Sequence, residues 1–258
     1  MSQEQKFVVL DESKKEQVKQ EIVKQDETFQ TYEITLPSKG KIYSSIHPLH
    51  NKELVEIREM TAKEEDILTS KLLLKRGTAI DKVIENCLID KRIKQDDLLS
   101  GDRNAILLFL RIISYGPDYP ISVECPLCET QNEQHFDLSK TKIKVLEVEP
   151  IEPFKNEFEI VLPKTNSKIK FKLLTIGEES SISKSQENLR KNTGSEIDSI
   201  VTSKLLRQII SIDGNEDKAF IYKFVQRMPI LDSRALRDYT EKIQPDVEMT
   251  NMLACNKC

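Results

Sequence analysis

Tryptophan is absent from this chain of 258 residues, and aromatic residues of all kinds make up only 6% of it. Small-molecule pockets are lined mostly by apolar and aromatic side chains, together with a few well-placed polar groups. A chain so poor in large aromatic side chains is not expected to enclose a rigid pocket. The sequence therefore predicts no small-molecule substrate.

Histidine is also scarce, with only His47, His50 and His135 in the whole chain. These three residues do not form a HExxH motif or a facial triad, and the chain has neither a GxSxG motif nor a phosphate-binding P-loop. Its paired acidic residues fall in charged stretches that are typical of solvated helix faces. The sequence thus predicts a protein that is not an enzyme.

Long hydrophobic runs are missing as well, and the first residues do not form a basic segment followed by an apolar one. We therefore expect neither a membrane span nor a secretory signal, and a protein that stays in a cytoplasm. Lysine and arginine number 39 against 43 acidic residues, which gives a net charge of -4, and they are scattered along the chain. Nucleic acid is accordingly not an expected partner.

Cysteine is infrequent, but four of the five cysteines form two CxxC motifs, Cys125 with Cys128 and Cys255 with Cys258. One CxxC turn presents two thiolates to a metal ion, and two turns complete the tetrahedral set of four sulfurs that structural zinc prefers. The sequence therefore predicts one structural zinc ion bound by these four cysteines. The fifth, Cys87, lies on an apolar helical stripe and is expected to be a buried thiol.

Two other uses of the CxxC motifs remain open. In one, each motif forms its own metal site, and His135 supplies a third ligand to the first. In the other, the motifs are the dithiols of a thioredoxin-like redox protein. In such proteins the motif normally opens a helix after a strand, and no helix is predicted behind either motif here.

The residue pattern predicts an α+β fold that begins after a charged arm. Residues 1–30 are rich in Lys, Glu, Gln and Asp and are expected to be mobile. Short strands over 33–37 and 41–43 are predicted to form a hairpin. A capping box that starts at Thr61 then predicts a helix over 62–75, because each of its two side chains satisfies a backbone N–H of the other residue.

Further helices follow in the first half of the chain. Gly77 is placed to end the first helix in a left-handed conformation, and Thr78 opens the second. Asp102 is predicted to cap a third helix, which Gly116 ends. Residues 121–123 form a short predicted strand that leads into the first CxxC motif.

The second half repeats this order of elements. Strands are predicted over 159–163 and 168–171, and Thr175 begins a second capping box. A constant offset pairs Asp102 with Asp232, Ala105 with Ala235, Ile106 with Leu236, Phe109 with Tyr239, Ile113 with Ile243, Cys125 with Cys255 and Cys128 with Cys258. We therefore predict an internal repeat: a first α/β module over 31–150 with a zinc knuckle, and a second over 151–258 with a terminal CxxC, joined by the shared zinc.

Several short segments carry a resemblance to a known family. They are Leu36-Pro37-Ser38-Lys39-Gly40-Lys41-Ile42-Tyr43, Met60 to Leu68, Asp97 to Leu107, Tyr115-Gly116 and Cys125-Pro126-Leu127-Cys128. In this order they resemble the T4-type phage baseplate protein family, whose members are baseplate hub subunits or hub assembly proteins of contractile-tailed phages. The resemblance covers residues 33–138 best.

The resemblance implies a structural or assembly protein of the tail baseplate hub, made in the host cytoplasm and partnered by other hub proteins. It leaves open whether the protein stays in the virion tail baseplate, and it does not predict an oligomeric state. The charged arm and the polar segment 183–196, which has no counterpart in the first half, are candidate contacts with partners. The alternative function is a zinc-ribbon adaptor for nucleic acid or the transcription machinery, which the acidic composition disfavours.

Overall fold

A computed structural model describes residues 29–193, 199–250 and 254–258 of the chain. Nearly all of the predicted arm, and the end of the polar segment 183–196, lie outside these residues. The strands are β1 (Thr31–Thr35), β2 (Leu54–Arg58), β3 (Asp118–Glu124), β4 (Gln131–Asp137), β5 (Lys142–Lys144), β6 (Phe158–Val161), β7 (Lys168–Phe171), β8 (Ile209–Ile212) and β9 (Asp246–Glu248). The helices are α1 (Ala62–Thr69), α2 (Lys71–Arg76), α3 (Ala79–Cys87), α4 (Ser100–Tyr115), α5 (Ile176–Thr193), α6 (Ile200–Gln208), α7 (Lys218–Arg227) and α8 (Ile230–Ile243).

The strands form small antiparallel sheets, so that the described part of the chain has the predicted α+β character. β1 pairs with β2, β3 with β4, and β5 with β9, while β6, β7 and β8 form a three-stranded sheet in that order. The pairing of β5 with β9 joins the two halves of the sequence. Among the described helices, none combines the length and the apolar character needed to cross a lipid bilayer.

The first hairpin differs from its prediction. β1 pairs with β2, and residues 41–43 lie in a loop between these two strands. Gly40 has a φ of +69°, and a Cβ added to it would lie 2.5 Å from the backbone N of Lys52, because the loop folds back against that residue. Ile42 and Tyr43 are buried all the same. The strand predicted over 41–43 is therefore wrong, because these side chains are buried in the core from a loop.

The helices after β2 follow local signals closely. The capping box of Thr61 and Glu64 is present at the start of α1, and Gly77 ends α2 with a φ of +68°. The single helix predicted over 62–75 is wrong, because Ser70 adopts an extended conformation between α1 and α2. Cys87, at the end of α3, is fully buried as predicted.

Asp102 does not cap α4 as predicted, because the helix begins earlier, at Ser100. Instead, its buried carboxylate lies in the first turn and accepts hydrogen bonds from the backbone N–H of Ser38 (2.9 Å) and from the hydroxyls of Ser38 (2.6 Å) and Tyr43 (2.5 Å). Burial raises the pKa of this carboxyl, although the hydrogen bonds act in the opposite direction. The residue therefore fixes the loop between β1 and β2 to the start of α4.

The second half contains the same contact. The buried carboxylate of Asp232, in the first turn of α8, accepts hydrogen bonds from the backbone N–H of Lys164 (2.7 Å) and Thr165 (3.1 Å). Lys164 follows a Leu-Pro pair, as Ser38 does in the first half. In each half an aspartate thus binds the backbone of the turn that follows a Leu-Pro pair.

The capping boxes also recur with their ionic partners. Glu64 forms an ion pair with Arg58 at 2.9 Å, and Glu178 forms one with Lys172 at 2.5 Å. Both cations come from the end of a strand or just beyond it, shortly before the capping threonine. Glu178 and its threonine, Thr175, exchange two longer hydrogen bonds of 3.4 Å.

One hydrophobic core runs through both halves of the described chain. It contains Leu36 and Ile57 from the first half and Phe158 and Phe171 from the second, all of them at most 2% exposed. A smaller cluster of Ala105, Leu108, Leu138 and Val247 lies beside β5 and β9, at the base of the β3–β4 hairpin. The two halves therefore share buried apolar surface as well as their cysteines.

Candidate metal centre

The first CxxC motif forms the turn of the β3–β4 hairpin. Glu124 and Gln131 are the last paired residues. Beyond them the backbone N–H of Cys125 donates to the carbonyl of Thr130 (3.0 Å), and that of Glu129 donates to the carbonyl of Cys125 (2.9 Å). The motif thus links two strands and does not begin a helix, which is unlike the thioredoxin arrangement.

The second CxxC motif lies against this turn, where a buried asparagine holds it. The Asn132 side chain accepts a hydrogen bond from the backbone N–H of Asn256 (2.8 Å) and donates one to the carbonyl of Thr130 (2.8 Å). Asn132 is only 6% exposed. One side chain therefore connects the two CxxC turns directly.

The four sulfurs form a compact cluster. All four Sγ atoms, of Cys125, Cys128, Cys255 and Cys258, lie within 4.8 Å of one another. The Sγ atoms of Cys125 and Cys258 are 3.6 Å apart, as are those of Cys128 and Cys255, so both close pairs join one turn to the other. A tetrahedral zinc ion with bonds of about 2.3 Å places its sulfur ligands about 3.8 Å apart. The cluster therefore fits a four-coordinate metal ion.

Local hydrogen bonds favour the thiolate at two of the cysteines. The backbone N–H groups of Lys257 and Cys258 lower the pKa of Cys255 to about 6. Hydrogen bonding with Thr130 lowers the pKa of Cys128. The surrounding sulfurs, first that of Cys128, raise the pKa of Cys258 to about 12. Four thiols so close together cannot all lose their protons unless a cation compensates their charge, and a bound metal ion would supply that charge.

The remaining candidate residues lie away from this cluster. His135 faces Asp118 across the hairpin, with Nδ1 3.0 Å from a carboxylate oxygen, and it is not part of the group that could hold a metal. The alternative of a separate site with His135 as a ligand therefore has no support in the geometry. Burial raises the pKa of the Cys87 thiol to about 11.

The sequence identified the four cysteines but gave no sign of Asn132 or Thr130. A single asparagine within a strand pattern carries no motif, and its role depends on a chain segment that is distant in the sequence. Four sulfurs form a closed ligand set, which suits a structural metal ion.

A protein-family model described as T4 bacteriophage base plate protein matches residues 29–258. The match includes both CxxC motifs and runs through both halves of the chain. Comparison with curated proteins and with solved structures gave no match.

Proposed function

Because the chain belongs to the T4 bacteriophage base plate protein family, we propose that it is a non-enzymatic structural or assembly protein of the base plate hub, folded around one structural zinc ion. The base plate part of the proposal rests on this family match, and the zinc part rests on one observation: two CxxC turns from distant parts of the chain bring four sulfurs within 4.8 Å of one another. Zinc is the metal that a closed set of four thiolates favours most.

In this proposal Cys125, Cys128, Cys255 and Cys258 all bind the zinc ion. When bound, the ion supplies a rigid four-coordinate link between the tip of the hairpin and the end of the chain. Asn132 orients the second turn toward the first, as hydrogen-bonding residues around metal ligands commonly do. The role of the site is to hold the surface formed by the hairpin tip and the second CxxC turn in place. The partners of the protein are other hub proteins.

We also propose that residues 31–150 and 151–258 are related modules. Support comes from the two aspartates, Asp102 and Asp232, which bind equivalent turns, and from the two capping boxes with their ion pairs. The two aspartate contacts join residues 64 and 68 positions apart, so local sequence preference alone does not explain their recurrence.

A nucleic-acid adaptor is the less favoured function. Residues 118–137, which form the hairpin that carries the first CxxC motif, include two aspartates and three glutamates but no lysine or arginine. An acidic knuckle repels the phosphate backbone. A protein partner is thus the better match for this surface.

Metal content tests the shared site. Elemental mass spectrometry of the purified chain should find about one zinc ion per chain, and the double variant Cys255→Ser, Cys258→Ser should lose it. Cys87→Ala is the matched control, because this thiol lies in the core away from the cluster, and it should keep the metal. Zinc retained by the double variant, or no zinc in the wild-type chain, would rule out the shared site.

Virion analysis tests the hub role. Phage that lack the chain should accumulate base plate intermediates without a completed hub, and crosslinks from the chain should reach hub proteins. Quantitative mass spectrometry of purified virions then separates a structural subunit, which is retained, from an assembly factor, which is not. Complete hubs formed without the chain would contradict the proposal.

A further inference from the structure

Helix α7 carries apolar side chains on two neighbouring faces. Ile221 and Val225 form the first face, and both are buried in the main core. Phe220 and Phe224 form the second face, where Phe220 is 40% exposed and Phe224 is only partly buried. A helix on the surface of a globular protein normally has one apolar face, toward the core, and polar residues elsewhere. The apolar surface of α7 is therefore wider than the core covers.

The second face lines a cleft of about 410 Å³, which we call the α7 cleft. Two cations, Lys223 and Arg227, stand beside the phenylalanines, and neither forms an ion pair within the described part of the chain. The lining contains no acidic residue, and it consists of Thr165, Phe220, Lys223, Phe224, Arg227, Met228 and Pro229. Ile230, which follows the last of these residues, is 84% exposed. The α7 cleft thus combines apolar surface with uncompensated positive charge.

Two acidic residues lie near the cleft, but their carboxylates are bound elsewhere. Asp217 caps α7 and accepts hydrogen bonds from the backbone N–H groups of Ala219 and Phe220, both at 3.2 Å. Asp232 is buried and accepts its hydrogen bonds from the backbone of the turn at 164–165. Neither carboxylate pairs with a cation of the cleft, so that charge remains available to an acidic partner.

The tip of the β3–β4 hairpin, residues 124–129, has the complementary character. Leu127 lies between the two cysteines of the first CxxC motif and is 87% exposed. Glu124 and Glu129 flank the motif, and both are exposed. Lys257, in the second CxxC turn, is a neighbouring cation. Four thiolates carry two more negative charges than one zinc ion neutralises, so the proposed zinc site would make this region more acidic.

We propose that the hairpin tip of one copy docks in the α7 cleft of a second copy. Leu127 packs against Phe220 and Phe224, while the two glutamates of the tip face the two cations of the cleft. No residue of the hairpin lines the cleft of its own chain, so a single copy leaves both surfaces uncovered. Because the two surfaces differ, each copy can bind one neighbour through its tip and another through its cleft, and such head-to-tail contacts can close into a ring.

The second copy is favoured because it supplies an exposed apolar side chain between two carboxylates. Aromatic and basic side chains also suit a single nucleic-acid strand, but the net charge of -4 on the chain disfavours that occupant. The inference goes beyond the proposed function and takes from it only the zinc ion that would order the tip.

Charge reversal tests the docking on the full chain, purified with zinc. Sedimentation velocity from about 1 μM to about 500 μM, the range of weak to moderate protein contacts, should show the wild-type chain associating. The tip variant Glu124→Lys, Glu129→Lys and the cleft variant Lys223→Glu, Arg227→Glu should each associate at least tenfold more weakly, because like charges then face each other. An equimolar mixture of the two variants should associate again, since the reversed tip of one matches the reversed cleft of the other.

Two matched controls separate docking from general effects of the substitutions. Lys71→Glu, Lys75→Glu reverses two exposed charges on α2, outside the cleft, and should associate as the wild type does. Leu127→Ser should weaken association about tenfold or more through the lost apolar contact. Ile46→Ser, at an isoleucine that is exposed elsewhere on the chain, should leave association unchanged.

The zinc content of each sample separates this inference from the proposed zinc site. A zinc-loaded wild-type chain that stays monomeric, even where it binds an added single-stranded oligonucleotide, would overturn the docking and leave the zinc site standing. A mixture of the two variants that does not associate would overturn it as well. If the wild-type chain holds no zinc but the variants and their mixture behave as expected, the docking stands and the zinc site is wrong.

Discussion

The hydrogen bonds of Asn132 allow a change in zinc affinity to be predicted. Asn132→Ala removes both bonds that connect the two CxxC turns, the one from Asn256 and the one to the carbonyl of Thr130, each 2.8 Å long. An intramolecular hydrogen bond contributes about 0.5–1.5 kcal/mol, so the pair is worth about 1–3 kcal/mol. All four cysteines are left unchanged by this substitution.

Because the second turn must be in place before four sulfurs can bind one ion, this free energy is lost from metal binding. At about 1.4 kcal/mol for each factor of ten, zinc affinity should fall between about fivefold and about 150-fold. The assay is competition for zinc against a chromophoric chelator, with the metal-free chain titrated under reducing conditions.

Gln134→Ala provides the matched control for this experiment. Gln134 lies on the same strand, β4, and on the same face as Asn132, but farther from the turn. Its substitution should leave the zinc affinity within about a factor of two of wild type. An unchanged affinity in Asn132→Ala, or an equal loss in Gln134→Ala, would refute the assignment of Asn132 as a positioning residue.

Three further predictions concern the folded core. Burial favours the neutral form of Glu64, but hydrogen bonds from Arg58 and Thr61 outweigh it and lower the pKa of Glu64 to about 2. A depressed pKa stabilises the fold at pH values above the pKa of the unfolded chain, which is near 4.5. Glu64→Gln should therefore lower the free energy of unfolding at pH 7 by about 1–3 kcal/mol. Urea titrations should show this difference shrinking as the pH falls toward 2. Asp232→Asn turns an acceptor toward a backbone N–H into a donor, and chemical denaturation should show a loss of about 1–3 kcal/mol; a neutral result would contradict the role given to that contact. A Cβ at Gly101 would lie 1.9 Å from the backbone oxygen of Pro245. Gly101→Ala should therefore lower the free energy of unfolding by about 1–3 kcal/mol or more, and with it the melting temperature. An unchanged melting temperature would show that the chain can shift there freely.

Features set by neighbouring residues could be predicted from the sequence. The capping box at Thr61 and Glu64 depends on residues within one helical turn, and the end of α2 depends on the left-handed conformation that Gly77 adopts readily. The four cysteines could be found because CxxC spacing is itself a requirement of the chemistry. In each case the physical cause lies within a few positions of the residue.

Features set by distant contacts could not be predicted in the same way. The local pattern placed a strand at 41–43, whereas β1 pairs with β2 after a long loop. Asp102 has the residue type of a helix cap, but Ser38 and Tyr43, far away in the sequence, determine its actual role. Asn132 is the clearest example, because its partner Asn256 lies 124 positions away in the sequence.

The candidate metal centre lies in a part of the molecule that the hydrophobic core does not stabilise. Six of the seven residues of β3 are exposed, and a two-stranded hairpin is only marginally stable in water by itself. The small cluster around Leu138 anchors the base of this hairpin, but its tip has little apolar packing beyond the buried Cys125. A metal ion bound by four thiolates would add stability at that tip, and it would fix the end of the chain to the hairpin at the same time. The core and a bound metal ion would thus act on different parts of the molecule, because apolar burial holds the two halves together, whereas a metal ion on the cysteines would order the hairpin that projects from them.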